Sequence, residues 1–125
     1  MPEKKRVVIA DFINDSLEIE KNVLADVADV QAFDARHEHE LAGQIESASA
    51  IMLYHNLSIT RETLKNLNHC QLIVRCGVGF DNVDHAFART LGIPVANVPD
   101  YGTEEVADSA IGMMLSLTRG INFGA

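Results

Sequence analysis

Five short apolar runs, each followed by a stretch of helical spacing, constrain this sequence more than any other feature. The runs are Val7–Ala10, Val30–Phe33, Ala50–Tyr54, Leu72–Val74 and Val95–Val98. They are continuous rather than alternating, the pattern of strands buried on both faces. Helical stretches fill the gaps. The first runs from a cap at Asp15 or Ser16 to about Ala25, and the second is Glu38–Ser47, with Leu41 and Ile45 four apart. A short helix starts at Thr60 with Leu64 and Leu67 facing inward, and another runs from a cap at Asn82 or Asp84 to Leu91. Gly92 ends that helix with the residue best suited to a left-handed stop. A last helix runs from a cap at Thr103 through Glu104 to about Arg119, closed by Gly120. Strands alternating with helices predict an α/β domain with a parallel sheet covered on both faces and right-handed crossovers. The expected fold is a flavodoxin-like three-layer domain, five parallel strands in the order 2-1-3-4-5, plus a C-terminal helix.

A chain of 125 residues suits one domain, large enough to bury a core without metals or disulfides. Its 18 acidic residues outnumber 10 basic ones, a net charge of −8. That balance argues against nucleic acid and anionic membrane as partners, since both need basic surface. Cys70 and Cys76 form neither a CxxC pair nor a disulfide framework. Met1–Arg6 is charged and lacks the apolar core of a signal peptide. No apolar run approaches the ~20 residues that span a bilayer, so a cytoplasmic location is expected. His37 and His39, flanked only by Glu38 and Glu40, read as a solvated helix start, and no metal site is expected.

Ligands of open parallel sheets bind beyond the carboxyl ends of the strands. The fourth strand runs into Arg75-Cys76-Gly77-Val78-Gly79-Phe80-Asp81-Asn82. Glycines two apart let the backbone turn sharply and come close to a ligand, and successive N–H groups in such a loop form an anion-holding concavity. The third glycine of a dinucleotide fingerprint would fall at Asn82. The loop therefore fits a carboxylate better than a pyrophosphate. Arg75 offers a planar donor fork for a carboxylate, the alternative being a salt bridge to Asp81 or Asp84. His55, after the third strand, is placed to meet the same ligand.

The last helix carries Val106, Ala107, Ala110, Ile111, Met113, Met114, Leu115 and Leu117 around nearly its whole circumference. A surface helix shows a single apolar stripe. This one is expected to be covered on its far side by a partner chain or a further domain, unless it is an ordinary core helix.

From Arg75 to Arg119 the sequence RCGVGFDNVDHAFARTLGIPVANVPDYGTEEVADSAIGMMLSLTR resembles the substrate-domain signature of the D-isomer-specific 2-hydroxyacid dehydrogenases. The family form is a G-x-G-x-D-N-x-D loop, a helix, G-I-x-V-x-N-x-P and a helix containing V/T-A-D/E. Ile51–Arg75 further resembles the branch that contains the C-terminal binding protein corepressors, and the first fifty residues fit the same domain. The resemblance implies an oxidoreductase, phosphoglycerate dehydrogenase-like, acting on a small 2-hydroxy or 2-oxo acid with NAD or NADP. It implies that Gly77, Val78 and Gly79 form the carboxylate loop, with Val78 and Gly79 donating N–H groups, and that His55 and Arg75 reach toward substrate. Val106 stands where the family touches the cofactor. Residues 1–102 would form the substrate domain and 103–120 a helix crossing to a second domain. The family's GxGxxG loop, catalytic arginine and acid–histidine pair belong to that second domain and are not among these residues. No catalytic residue is therefore expected here, the chain alone is expected to be inactive, and a truncated homo-oligomer, a dimer, is expected.

Two other readings compete. A phosphoacceptor receiver domain has this length and alternation, but it needs an aspartate ending strand three and a lysine after strand five. This chain has Tyr54-His55 and Asn97-Val98-Pro99 there. The other is a non-catalytic, corepressor-like module that binds peptides.

Overall fold

The computed structural model describes residues 3–11 and 13–121. Met1 and Pro2, the start of the expected domain 1–102, lie outside the described residues. The elements follow as β1 (Lys5–Asp11), α1 (Glu18–Leu24), β2 (Ala28–Ala35), a 3-10 turn at Glu38–Leu41, β3 (Ala50–Leu53), α2 (Arg61–Leu64), β4 (Leu72–Arg75), α3 (His85–Thr90), β5 (Val95–Asn97) and α4 (Thr103–Arg119). The strands form one parallel sheet in the order β2-β1-β3-β4-β5. This is the expected α/β, flavodoxin-like order.

Register explains why the apolar runs had to be continuous. Val8 lies opposite Ile51, Ile51 opposite Ile73, and Ile73 opposite Val95. Val8, Ile51 and Ile73 are fully buried, and so is Ile9 beside Val8, so β1 is covered on both faces. The edge strand β2 instead leaves Asp29, Gln31 and Asp34 in solvent.

Capping by side chains sets two helices as expected. Thr60 Oγ1 accepts from Glu62 N, and Asp84 Oδ1 accepts from Phe87 N at 3.0 Å. Gly92 and Gly120 both adopt positive φ, at 74° and 63°. Three expectations fail locally. The helix expected over Glu38–Ser47 is only a 3-10 turn. Ala42 is extended and Gly43 sits at φ 80°, where its N–H donates to the Glu46 carboxylate instead of continuing a helix. Leu41 and Ile45 are nonetheless both buried. Helix α1 is capped by neither Asp15 nor Ser16. The Asp15 carboxylate accepts from Ser16 N, while Leu17 occupies the cap position at φ 59° with its side chain buried. In α4 Gly102 holds the cap position, and Thr103 is already helical.

The largest departure concerns α4. One apolar face was expected to pack on its own domain, yet no residue of the helix is buried. Val106 is 70% exposed, Met113 63% and Leu117 76%, and Ile111, Met114 and Leu115 are also exposed. The ordinary core helix is excluded.

Candidate functional site

The carboxyl ends of β3 and β4 build the site. Leu53 and Arg75 are register partners, and Cys76 N donates to Leu53 O at 2.7 Å, so the two strands leave the sheet together. Beyond them opens a cleft of about 590 Å³ lined by Tyr54, His55, Arg75, Cys76, Gly77 and Val78, with Val98 and Tyr101 from beyond β5. His55 and Arg75 are thus brought together, as expected.

Hydrogen bonds shape the glycine loop. Gly77 N donates to Arg75 O at 2.8 Å, Val98 N donates to Gly77 O at 2.9 Å, and Asn97 Nδ2 donates to Val78 O at 2.7 Å. The carbonyls of Gly77 and Val78 are tied down while the N–H groups of Val78 and Gly79 meet no acceptor among the described residues. Gly77 serves through its missing side chain, because a Cβ there would overlap the Arg75 guanidinium. Arg75 does not pair with Asp81 or Asp84. Its Nε donates to Asn82 Oδ1 at 3.4 Å, and Asp84 pairs with Arg61 at 3.2 Å. Among the described residues no carboxylate lies within ion-pair distance of Arg75, so its charge is available to a ligand.

The family model for the catalytic domain of D-isomer specific 2-hydroxyacid dehydrogenases matches residues 7–121. The chain belongs to this family. It is 32% identical over 119 residues to C-terminal-binding protein 1 of Caenorhabditis elegans, covering 94% of this chain and 16% of that protein. It is 31% identical over 99 residues to D-3-phosphoglycerate dehydrogenase of Methanocaldococcus jannaschii, covering 79% of this chain and 19% of the relative. Among solved structures it resembles the NADPH-dependent glyoxylate/hydroxypyruvate reductase of Sinorhizobium meliloti in complex with NADP and malonate. That match has a TM-score of 0.74 and 26% identity, over 91% of this chain and 34% of the other. The chain thus spans less than a fifth of the curated relatives it matches.

Within the dehydrogenase domain, two polar residues do work that spacing alone did not reveal. Asn82 Nδ2 donates to Tyr54 O at 2.8 Å and Leu57 O at 2.7 Å while its Oδ1 accepts from Arg75. It ties the loop after β3 to the arginine after β4. Asp11, fully buried, accepts from the backbone of that same loop. An aspartate closing an otherwise apolar run was the available signal. Val106 lies on α4 beside a shallow groove shared with Tyr101 and Met113. Among the described residues no helix is long and apolar enough to cross a membrane.

The cysteines of the dehydrogenase domain are held protonated. Burial pushes the Cys76 thiol above its ordinary value, the charge of Asp11 adds to this, and Arg75 opposes it. Burial likewise raises Cys70. Thiolate, not thiol, reacts with alkylating agents. Iodoacetamide at pH 8 is therefore expected to label both slowly in the folded chain and fast after denaturation. Mass spectrometry checks this, and labelling of folded protein at the rate of a free thiol contradicts it.

Proposed function

We propose that the cleft between His55 and Arg75 holds the carboxylate of a small 2-hydroxy or 2-oxo acid, and that this chain is the substrate-side part of an NAD(P)-dependent 2-hydroxyacid dehydrogenase. One observation carries the reading. Among the described residues the N–H groups of Val78 and Gly79 meet no acceptor, Val78 lines the cleft together with Arg75, and no carboxylate pairs with that guanidinium. In the chemistry that follows, Val78 and Gly79 donate to one carboxylate oxygen, Arg75 supplies a charge-assisted bond, and His55 meets the substrate from the end of β3. The malonate-bound relative supports an anionic ligand, and its NADP supports a nicotinamide cofactor.

The cofactor, when bound, supplies or accepts hydride. The residues here fit a contact with it rather than a cradle for it. Val106 is exposed beside an apolar groove, whereas the glycine loop lacks the third glycine that a pyrophosphate needs. We assign residues 1–102 to the substrate domain and 103–120 to a helix that crosses to a second domain. The exposure of every apolar side chain on α4 supports this division.

Two measurements test the proposal. Titrating the isotope-labelled chain with glyoxylate is expected to shift the amides of Val78 and Gly79 and the Arg75 Nε–H, and unmoved resonances there would overturn the site. The 125 residues alone are expected not to turn over 2-oxo acids with NADH or NADPH, because no hydride carrier is positioned without its binding fold. The full-length protein is expected to do so, and turnover by the short chain would overturn the division of labour. A corepressor-like peptide-binding module is the second reading, favoured by the identity to C-terminal-binding protein 1. Unmoved resonances together with an inactive full-length protein would support it.

A further inference from the structure

Asp11 is the single polar side chain fully buried among the described residues. No Lys, Arg or His of the described residues forms an ion pair with it. Placing a charge there is unfavourable unless its oxygens are well satisfied. They are satisfied entirely by one loop. Oδ1 accepts from Tyr54 N at 2.9 Å, and Oδ2 accepts from Asn56 N at 3.0 Å and Leu57 N at 3.1 Å. These three groups bracket His55 on both sides. The cause lies in the sheet. Asp11 ends β1, where the pairing with β2 slips by one residue because the extra residue lies on β2: Ile9 faces Ala32 and Asp11 faces Ala35. On its other side β1 pairs with β3, whose continuation is the His55 loop.

The same loop is held from a second direction. Asn82 takes the carbonyls of Tyr54 and Leu57 and also accepts from Arg75. Three N–H groups of the loop thus go to a carboxylate, and two of its carbonyls go to an amide already bonded to the arginine.

We propose that Asp11 is the positioning residue for His55: by accepting the backbone N–H groups around it, and with Asn82 joining that loop to Arg75, it sets how His55 and Arg75 face each other across the cleft. The proposal rests on the reading of that cleft as the substrate site. Asp11 touches no substrate and acts only through the loop.

Asp11→Asn is the decisive variant. An amide nitrogen cannot accept, so whichever way the side chain turns, at least one of the three N–H groups faces a donor. Hydrogen exchange and glyoxylate titration are read on the same labelled chain. The expected result has two parts. Exchange at Tyr54, Asn56 and Leu57 quickens at least tenfold while Ile9, Ile51 and Ile73 keep their protection, and glyoxylate binds at least tenfold more weakly. Uniform loss of protection would make Asp11 a general core residue and overturn the proposal. A loosened loop with unchanged glyoxylate affinity would overturn it as well. If Asp11→Asn does not fold, Asp11→Ser, smaller and uncharged, is read the same way. Failure of both to fold would make Asp11 a folding requirement rather than a positioning residue. Absence of glyoxylate binding by the unmodified chain would remove the site reading itself, and is seen before any variant is made.

Discussion

Arg75→Ala in the full-length protein is expected to weaken binding of a 2-oxo acid about ten- to a hundredfold, with a smaller change in the rate at saturation. A charge-assisted hydrogen bond contributes roughly 1.5–3 kcal/mol, and each ~1.4 kcal/mol is a factor of ten in affinity. The effect on folding should be small, because among the described residues the Arg75 side chain makes one hydrogen bond to the protein, the long one to Asn82. Arg75→Lys is expected to recover only part of the loss, since an ammonium is a point charge without the planar fork. His55→Ala should act in the same direction and less strongly, its ring being an exposed neighbour without the planar donor fork of the guanidinium. Steady-state kinetics over a range of substrate concentrations separates the two parameters. Wild-type KM in both variants would make Arg75 and His55 structural residues and would remove the carboxylate from this cleft.

The second large effect concerns association. Helix α4 leaves Val106, Ile111, Met113, Met114, Leu115 and Leu117 in solvent. Apolar patches of more than a few hundred Å² on soluble proteins usually mark interfaces. At roughly 25 cal/mol per Å², covering such a patch on two chains contributes several kcal/mol, enough to favour pairing at micromolar concentration. The 125-residue chain is therefore expected to sediment as a dimer or larger species, with α4 packed against α4 of a second copy. Met113→Glu combined with Leu117→Glu is expected to return it to a monomer, because each buried carboxylate would lack a partner. A clean wild-type monomer with a fully formed helix would show that the exposed face needs no cover.

Much of the fold was legible because its causes are local. The apolar runs report burial residue by residue, and their continuity required a sheet covered on both sides, which the full burial of Val8 and Ile9 on opposite faces of β1 provides. Thr60 and Asp84 cap because a short side chain reaches N–H groups two or three residues on. The glycine loop and its two neighbours, His55 and Arg75, could be read from their places after apolar runs. The helix expected over Glu38–Ser47 was lost because Leu41 and Ile45 can both turn inward without a helix between them. Spacing of four records which residues are buried, not the path that joins them. Asp11 and Asn82 were out of reach for a different reason. Asp11 binds a loop more than forty residues away, and Asn82 binds that loop from 25 residues away or more. Which backbone groups they meet depends on strand order and on the register of β1 against β3. The sequence by itself determined the layers, the strand order and the place of the glycine loop after the fourth strand. The tertiary structure alone decided how that loop is held, which of its N–H groups stay free, and that α4 leaves its own domain uncovered. Periodicity measures burial along the chain, whereas a polar contact across the sheet exists only once the strands are in register.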